Sequence, residues 1–186
     1  FSKEIINKVE NKYNILNQNL VTCIIGGQNQ HYYFNSKEAM DICNKIRNLK
    51  KNNPKINLLI LTSRRTSDQI KKILKQELDS ISKLWLGEGN NPYIFALKYS
   101  SNFIVTSDST SMISESTISG KPIYVYTLPF KRISKRLEKF HSEFKKLNIT
   151  RDFNNNIKLS NWTYEPIYES KRIAGIIKER IIEEFK

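Results

Sequence analysis

Apolar residues along this chain fall into short unbroken runs separated by longer stretches with helical spacing. Runs at 20–25 (LVTCII), 56–61 (INLLIL), 103–105 (FIV) and 123–126 (IYVY) show little polar alternation. That is the pattern of strands buried on both faces of a parallel sheet. Residues 83–86 (KLWL) make a shorter run of the same kind. Between the runs, Ala39, Ile42, Cys43, Ile46 and Leu49 line one helical face, and Ile70, Ile73, Leu74 and Leu78 line another. Asn35 with Glu38, and Thr66 with Gln69, supply capping pairs where these helices should start. Asn91 as cap and Pro92 as first helical residue predict a further helix through Leu97. Residues 102–126 form a strand, a polar SDSTS loop, a short helix, a stop at Gly120 and a strand opened by Pro122, which is one βαβ crossover.

Strands alternating with helices predict an α/β domain with a doubly wound, Rossmann-like parallel sheet of about five strands. It should occupy residues 20–168. Ile5, Ile6, Val9, Tyr13 and Leu16 predict a helix or linker over 1–19, and Ile173, Ile176, Ile177, Ile181 and Ile182 predict a carboxyl-terminal helix within 169–186. Residues 148–162 read as polar and turn-rich.

Right-handed crossovers would align the loops after the strands along the carboxyl edge of the sheet, where open α/β folds bind ligands. The chemically unusual motifs all fall there. Gly26 and Gly27 end the first strand and allow close backbone approach, without the third glycine of a dinucleotide fingerprint. Ser63, Arg64 and Arg65 follow the second strand; guanidinium forks suit phosphate, and the same pair also reads as solvated surface. In GEGNNPY (87–93), Asn91 opens a helix, and Tyr93 would either stack on a base or staple the helix start. Ser107, Asp108, Ser109, Thr110 and Ser111 place hydroxyls and a carboxylate at a helix N-terminus, the expected ligand loop. Glu115 lies one turn beyond Ser111 on the same face.

The 186 residues carry a formal net charge of +13, which favours acidic partners: nucleic acid, anionic lipid or phosphorylated small molecules. Lys, Asn and Ile are abundant along the whole length, a bias that A+T-rich coding produces without functional demand. A basic helix is expected after Pro129. It would carry Lys131, Arg132, Lys135, Arg136, Lys139, Lys145 and Lys146, with Ile133, Leu137, Phe140, Phe144 and Leu147 as its apolar stripe. Such a helix, 131–146, presents either a solvated face or a surface for anionic membrane or a phosphorylated polymer. Aromatic-basic interleaving and a recognition helix, the marks of nucleic-acid binding, do not stand out.

No apolar run approaches the roughly 20 residues of a membrane span, and the opening residues carry no signal-peptide pattern. Cys23 and Cys43 read as core residues of a chain kept reduced. The expected location is therefore the cytoplasm, including the inner face of a membrane. His31, in the loop after the first strand, would either face the cleft or be a lone surface histidine, the latter favoured, and His141 reads as solvated on the basic helix. No nucleophile elbow or metal-ligand cluster is legible, so the catalytic residue stays unassigned and neither metal nor cofactor is expected.

Several motifs in order carry a family resemblance. Gly26-Gly27, TSRRT (62–66), GEGNNPY, SDSTSMISE (107–115), SGKP (119–122), RDF (151–153) and NWTYEP (161–166) together resemble the Elm-type mitochondrial fission factor family and its bacterial homologues. That family is similar to the carboxyl-terminal half of GT-B glycosyltransferases. The resemblance implies a two-domain molecule whose amino-terminal Rossmann-like domain precedes this region and supplies any acceptor base. It also implies that Ser109, Thr110 and Ser111 hold the diphosphate of a nucleotide sugar, the donor substrate, and that Glu115 takes the ribose hydroxyls. GT-B enzymes commonly place glycines in this loop; here Asp108 would have to cap the helix or pair with Arg64 or Arg65. Three activities follow as expectations: a glycosyltransferase-like domain acting on a cell-envelope or lipid acceptor, a non-catalytic protein-interaction module of the fission-factor type, and charge-driven nucleic-acid binding.

Overall fold

The computed structural model describes residues 3–13, 19–155 and 158–167. The carboxyl-terminal helix expected within 169–186 lies outside the described residues. In chain order the elements are α1 (Lys3–Tyr13), β1 (Leu20–Ile25), α2 (Ser36–Asn52), β2 (Asn57–Thr62), α3 (Asp68–Leu78) and β3 (Lys83–Trp85). There follow α4 (Tyr93–Tyr99), β4 (Asn102–Thr106), α5 (Thr110–Ser116), β5 (Ile123–Tyr126), α6 (Lys135–Lys146) and β6 (Thr150–Asp152). Among the described residues, six strands form one parallel sheet in the order β3-β2-β1-β4-β5-β6. The chain reverses direction between β1 and β4, which makes a topological switch point there.

The sheet is covered on both sides because its strands are apolar on both sides. In β1, Val21, Cys23 and Ile25 pack with α2 and α3 through Ala39, Ile42, Ile46, Leu49, Ile70, Leu74 and Leu78. The alternate residues Leu20 and Ile24 face the other layer, where Val9 and Tyr13 of α1 meet Phe95 and Ala96 of α4, and Ile113 of α5 meets Phe103 and Val105. Thr22 is polar within this strand and fully buried, and its hydroxyl is satisfied by Ser100 Oγ at 2.7 Å. Both cysteines are buried and free.

Local chemistry sets the helix starts with small departures from expectation. The Asn35–Glu38 capping box forms in both directions. α3 is capped by Ser67, whose hydroxyl accepts from Ile70 N, instead of by Thr66. Thr66 is drawn inward, its hydroxyl donating to the Gly26 carbonyl at 2.6 Å, and Gln69 reaches Ser36 instead. α4 starts one residue later than predicted: Pro92 is the cap, and Asn91 Oδ1 accepts from Tyr93 N at 2.9 Å.

Two larger differences concern the basic segment and the sheet edge. α6 begins at Lys135, not at Lys131, because residues 129–132 are zipped to the loop after β1. Tyr33 N donates to Pro129 O (3.0 Å), Lys131 N to His31 O (2.7 Å), and Tyr32 stacks on Phe130. Of the predicted stripe, Leu137 is buried and Phe140 and Phe144 are half-buried, while Ile133 and Leu147 are exposed. The sixth strand, β6, arises where turn was expected; it is three residues long and exposes Arg151 and Asp152, as edge strands do.

The last three of the ordered motifs meet in space. Gly120 closes a 3-10 turn (Thr117–Ser119) with φ +65°, a left-handed conformation suited to glycine. Pro166 lies against it, and Tyr164 donates to Lys121 O at 2.8 Å. Trp162 packs edge-on to Tyr124 while the Arg151 guanidinium lies over its indole at 4.0 Å. SGKP, RDF and NWTYEP thus form one strap over the β5–β6 side of the sheet.

Candidate nucleotide cleft

Loops after β1, β2 and β4 converge at the switch point, and one buried carboxylate joins them. Asp108 accepts from Thr106 Oγ1 at 2.6 Å, from Gly27 N at 3.0 Å and from Arg65 Nη2 at 2.7 Å. Its side chain has no exposed surface, whereas that of Arg65 is 47% exposed. The two glycines serve this junction. A Cβ on Gly26 would lie 2.1 Å from Asp108 Oδ2, and one on Gly27 would lie 2.1 Å from the Arg65 carbonyl oxygen. Gly26 N also donates to Thr106 Oγ1 at 2.8 Å. Gly26, Gly27 and Asp108 therefore sit beneath the site as its frame.

Above that frame opens a cleft of about 360 Å³. Ser63, Arg64 and Arg65 line it from the loop after β2, Asn91 and Tyr93 from the start of α4, and Ser109, Ser111 and Glu115 from the start and last turn of α5. Ile24, Leu61, Trp85 and Met112 add an apolar floor. Eight of the thirteen residues singled out in the sequence are thus brought together. Ser107 turns away: its hydroxyl accepts from Leu128 N at 2.9 Å and it lines a neighbouring cleft. Thr110 is the first residue of α5 and does not line the cleft.

The walls of the cleft are linked across it. The Tyr93 hydroxyl donates to Glu115 Oε2 at 2.6 Å, so Tyr93 orients a carboxylate, a role neither stacking nor stapling anticipated. Burial and then this bond push the Tyr93 hydroxyl well above its ordinary pKa. Ser109 Oγ caps α5 by accepting from Met112 N and lies 3.2 Å from Ser111 Oγ. Arg65 is committed to Asp108. Arg64 is exposed and forms no ion pair with another described residue. Trp85 escaped the sequence reading because it ends a strand only three residues long; its place beside Leu86 at the carboxyl edge was the available signal.

His141 differs from expectation. It is half-buried in the neighbouring cleft of about 420 Å³, with Nε2 3.1 Å from Ser107 O and 3.3 Å from the Tyr32 hydroxyl. A carbonyl only accepts, so Nε2 carries the proton. Burial lowers the ring's pKa below its ordinary 6.5, against the opposing Ser107 bond. The neutral ring is therefore favoured in the fold, and the associated stability is present above the unfolded value and lost as pH falls through it toward the folded one. Urea midpoints measured between about pH 7.5 and 5.5 should fall more steeply in the native sequence than in His141→Gln. Equal slopes would remove His141 from that loss. Among the described residues no cluster of His, Cys, Asp and Glu is placed to hold a metal ion, and no helix is long and apolar enough to cross a membrane.

Comparison with solved structures defines the class. UDP-GlcNAc 2-epimerase of Neisseria meningitidis, bound to UDP-GlcNAc, superposes with a TM-score of 0.54 and 16% identity, covering 82% of this chain and 37% of that one. The S. aureus MnaA–UDP structure gives 0.56 and 12% identity over 83% of this chain and 37% of that one. The fold is that of a GT-B-like, Rossmann-type domain. The chain belongs to the mitochondrial fission ELM1 family, whose sequence pattern matches residues 3–181. It is 35% identical over 164 residues to the uncharacterized protein RP120 of Rickettsia prowazekii (strain Madrid E), covering 83% of this chain and 45% of that protein. It is 28% identical over 125 residues to the mitochondrial fission protein ELM1 of Arabidopsis thaliana, covering 66% of this chain and 29% of that protein. The chain thus spans less than half the length of these relatives.

Proposed function

We propose that this domain binds a nucleoside diphosphate, carried as a nucleotide sugar, in the cleft at the β1–β4 switch point, as the donor half of a glycosyltransferase-like protein. The observation that carries this is the Tyr93–Glu115 bond facing the Arg64 and Arg65 loop across one cleft. A carboxylate held by one hydroxyl keeps its other oxygen for a ribose diol, and a guanidinium opposite suits a diphosphate. The epimerase and MnaA structures, which share this fold, hold UDP-GlcNAc and UDP. Because Asp108 engages Arg65, Arg64 is the cation assigned to the diphosphate, with Ser109 and Ser111 beside it. The acceptor, of cell-envelope or lipid type, and its base would come with the remainder of the protein.

Thermal unfolding in the presence of UDP, GDP, CMP, ADP and their sugar conjugates tests this. A ligand at about 100 times its dissociation constant should add roughly 2.7 kcal/mol of stability. Glu115→Gln should abolish the shift, and Tyr93→Phe should weaken binding about tenfold, the value of one hydrogen bond to a charged group. A shift that both variants keep would place the nucleotide elsewhere.

A second reading has its own support. Family membership and the burial of Asp108 against Arg65, which neutralises half of the arginine pair, both fit a domain that keeps the fold as a protein-interaction module. No thermal shift with any nucleotide, together with a captured protein partner, would favour it.

A further inference from the structure

Outside the cleft, a basic promontory forms where the loop after β5 meets the loop after β1. It is well braced: both Lys131 N and Arg132 N donate to His31 O, Tyr32 pairs with Phe130, and their rings stack at 4.7 Å. Two apolar side chains stand out from it, Ile133 at 71% exposure and Tyr33 at 42%. Lys131, Arg132, Lys135, Arg136 and Lys139, all exposed, flank Ile133 along the chain, and Lys131 reaches toward the Tyr33 ring. None of the five forms an ion pair with another described residue, and Glu138 is the only acid between 131 and 139. Further along α6 the balance changes, for Lys145 pairs with Asp152 and Lys146 with Glu143. The uncompensated charge is therefore concentrated at the start of α6, around Ile133, and does not follow the whole basic helix.

We propose that this promontory docks on an anionic lipid bilayer, with Ile133 and Tyr33 entering the headgroup boundary and the five cations meeting lipid phosphates. The two features together select that partner. Cations alone would serve any polyanion, but a protruding aliphatic side chain gains nothing from a nucleic-acid backbone and does gain from the acyl boundary of a membrane. A tyrosine beside it, with Lys131 Nζ 5.9 Å from its ring centroid, has the amphipathic character that suits the interface. Both loops leave the carboxyl ends of their strands, the edge on which the cleft also opens. A docked domain therefore presents the cleft at the bilayer surface. Docking stands independently of what the cleft holds.

Sedimentation of the 186-residue chain with vesicles tests the proposal, using phosphatidylcholine alone and phosphatidylcholine with about one third phosphatidylglycerol. Binding is expected only to the anionic vesicles and should fall at least tenfold as salt rises from about 0.05 to 0.5 M. Lys135→Glu/Arg136→Glu should lower it about tenfold or more, and Ile133→Ser about fivefold. Lys51→Glu, an exposed change in the last turn of α2 at the opposite edge of the sheet, should leave it within about twofold. Ile133 and both cations are exposed, so these variants should keep the native circular dichroism spectrum. Absence of binding, equal binding to neutral vesicles, or retention of binding by the charge-reversed variant would overturn the proposal. So would an Ile133→Ser protein that binds vesicles as well as the native one while a single-stranded RNA competes with lipid, since that result describes a polyanion site. A nucleotide-induced thermal shift reads the cleft separately, so either reading can fail alone.

Discussion

Gly27→Ala should cost about 3 kcal/mol or more, at or beyond the upper end of the range for overpacking. The added methyl would sit 2.1 Å from the Arg65 carbonyl oxygen and 2.4 Å from its carbon. Those are backbone atoms, with no flexible end to swing aside. Nor can the loop after β2 retreat freely, since the Thr66 hydroxyl ties it to the Gly26 carbonyl and Ser63 N ties it to Ile25 O. Gly89→Ala is the control. Gly89 has φ +71° but nothing within 4 Å of a new Cβ, so its cost is the left-handed backbone alone, about 1–2 kcal/mol. Urea unfolding of the two variants measures the difference. A Gly27→Ala midpoint equal to that of Gly89→Ala would mean that the loops after β1 and β2 do not approach as described.

Asp108→Ala is the second large effect, expected near 3 kcal/mol. Removing the carboxylate leaves the Gly27 N–H and the Thr106 hydroxyl without their acceptor in a site closed to solvent, and each such loss costs about 1–3 kcal/mol. The Thr106 hydroxyl also receives from Gly26 N, so the disturbance spreads to a third group. Arg65→Ala should cost less, since the guanidinium is half exposed while Asp108 keeps its two other donors. The double variant should fall short of the summed single costs, as side chains sharing one contact do. Strict additivity in that cycle would show that the pair is not coupled. If Asp108 instead served a ligand directly, its loss would reduce nucleotide affinity with little change in the urea midpoint.

The α/β class and the positions of β1, β2, β4 and β5 were legible because a strand buried on two faces has no polar alternation to hide it; β3, an edge strand with Lys83 exposed and Leu84 and Trp85 half-buried, was legible from its short apolar run. β6 was not, since Thr150 is its only buried residue and its pairing is set by β5. The start of α6 was misplaced because periodicity cannot see that residues 129–132 are bonded to a loop about a hundred positions earlier, the kind of distant contact that overrides local preference. For the cleft, residue types and edge position were enough to collect Arg64, Tyr93, Ser111 and Glu115. Which of them face the opening was not readable: Ser107 and Ser109 are two apart in one polar run, yet a bond to Leu128 N sends Ser107 into the next cleft. His141 was misjudged for a related reason. Its helix is basic and solvated on one side, and the carbonyl that holds it belongs to a different part of the chain.

The strand order has a consequence for how the chain is made. β1 sits in the middle of the sheet, and its second neighbour is β4, with Val21 opposite Asn102. On a ribosome, β1, β2 and β3 can assemble with α2 and α3 before β4 has emerged. Until then one side of LVTCII is a bare hydrogen-bonding edge on a strand apolar at every position but Thr22, the kind of surface that recruits other nascent chains. Until Thr106 has been translated, a chaperone that covers this edge has a defined strand to protect.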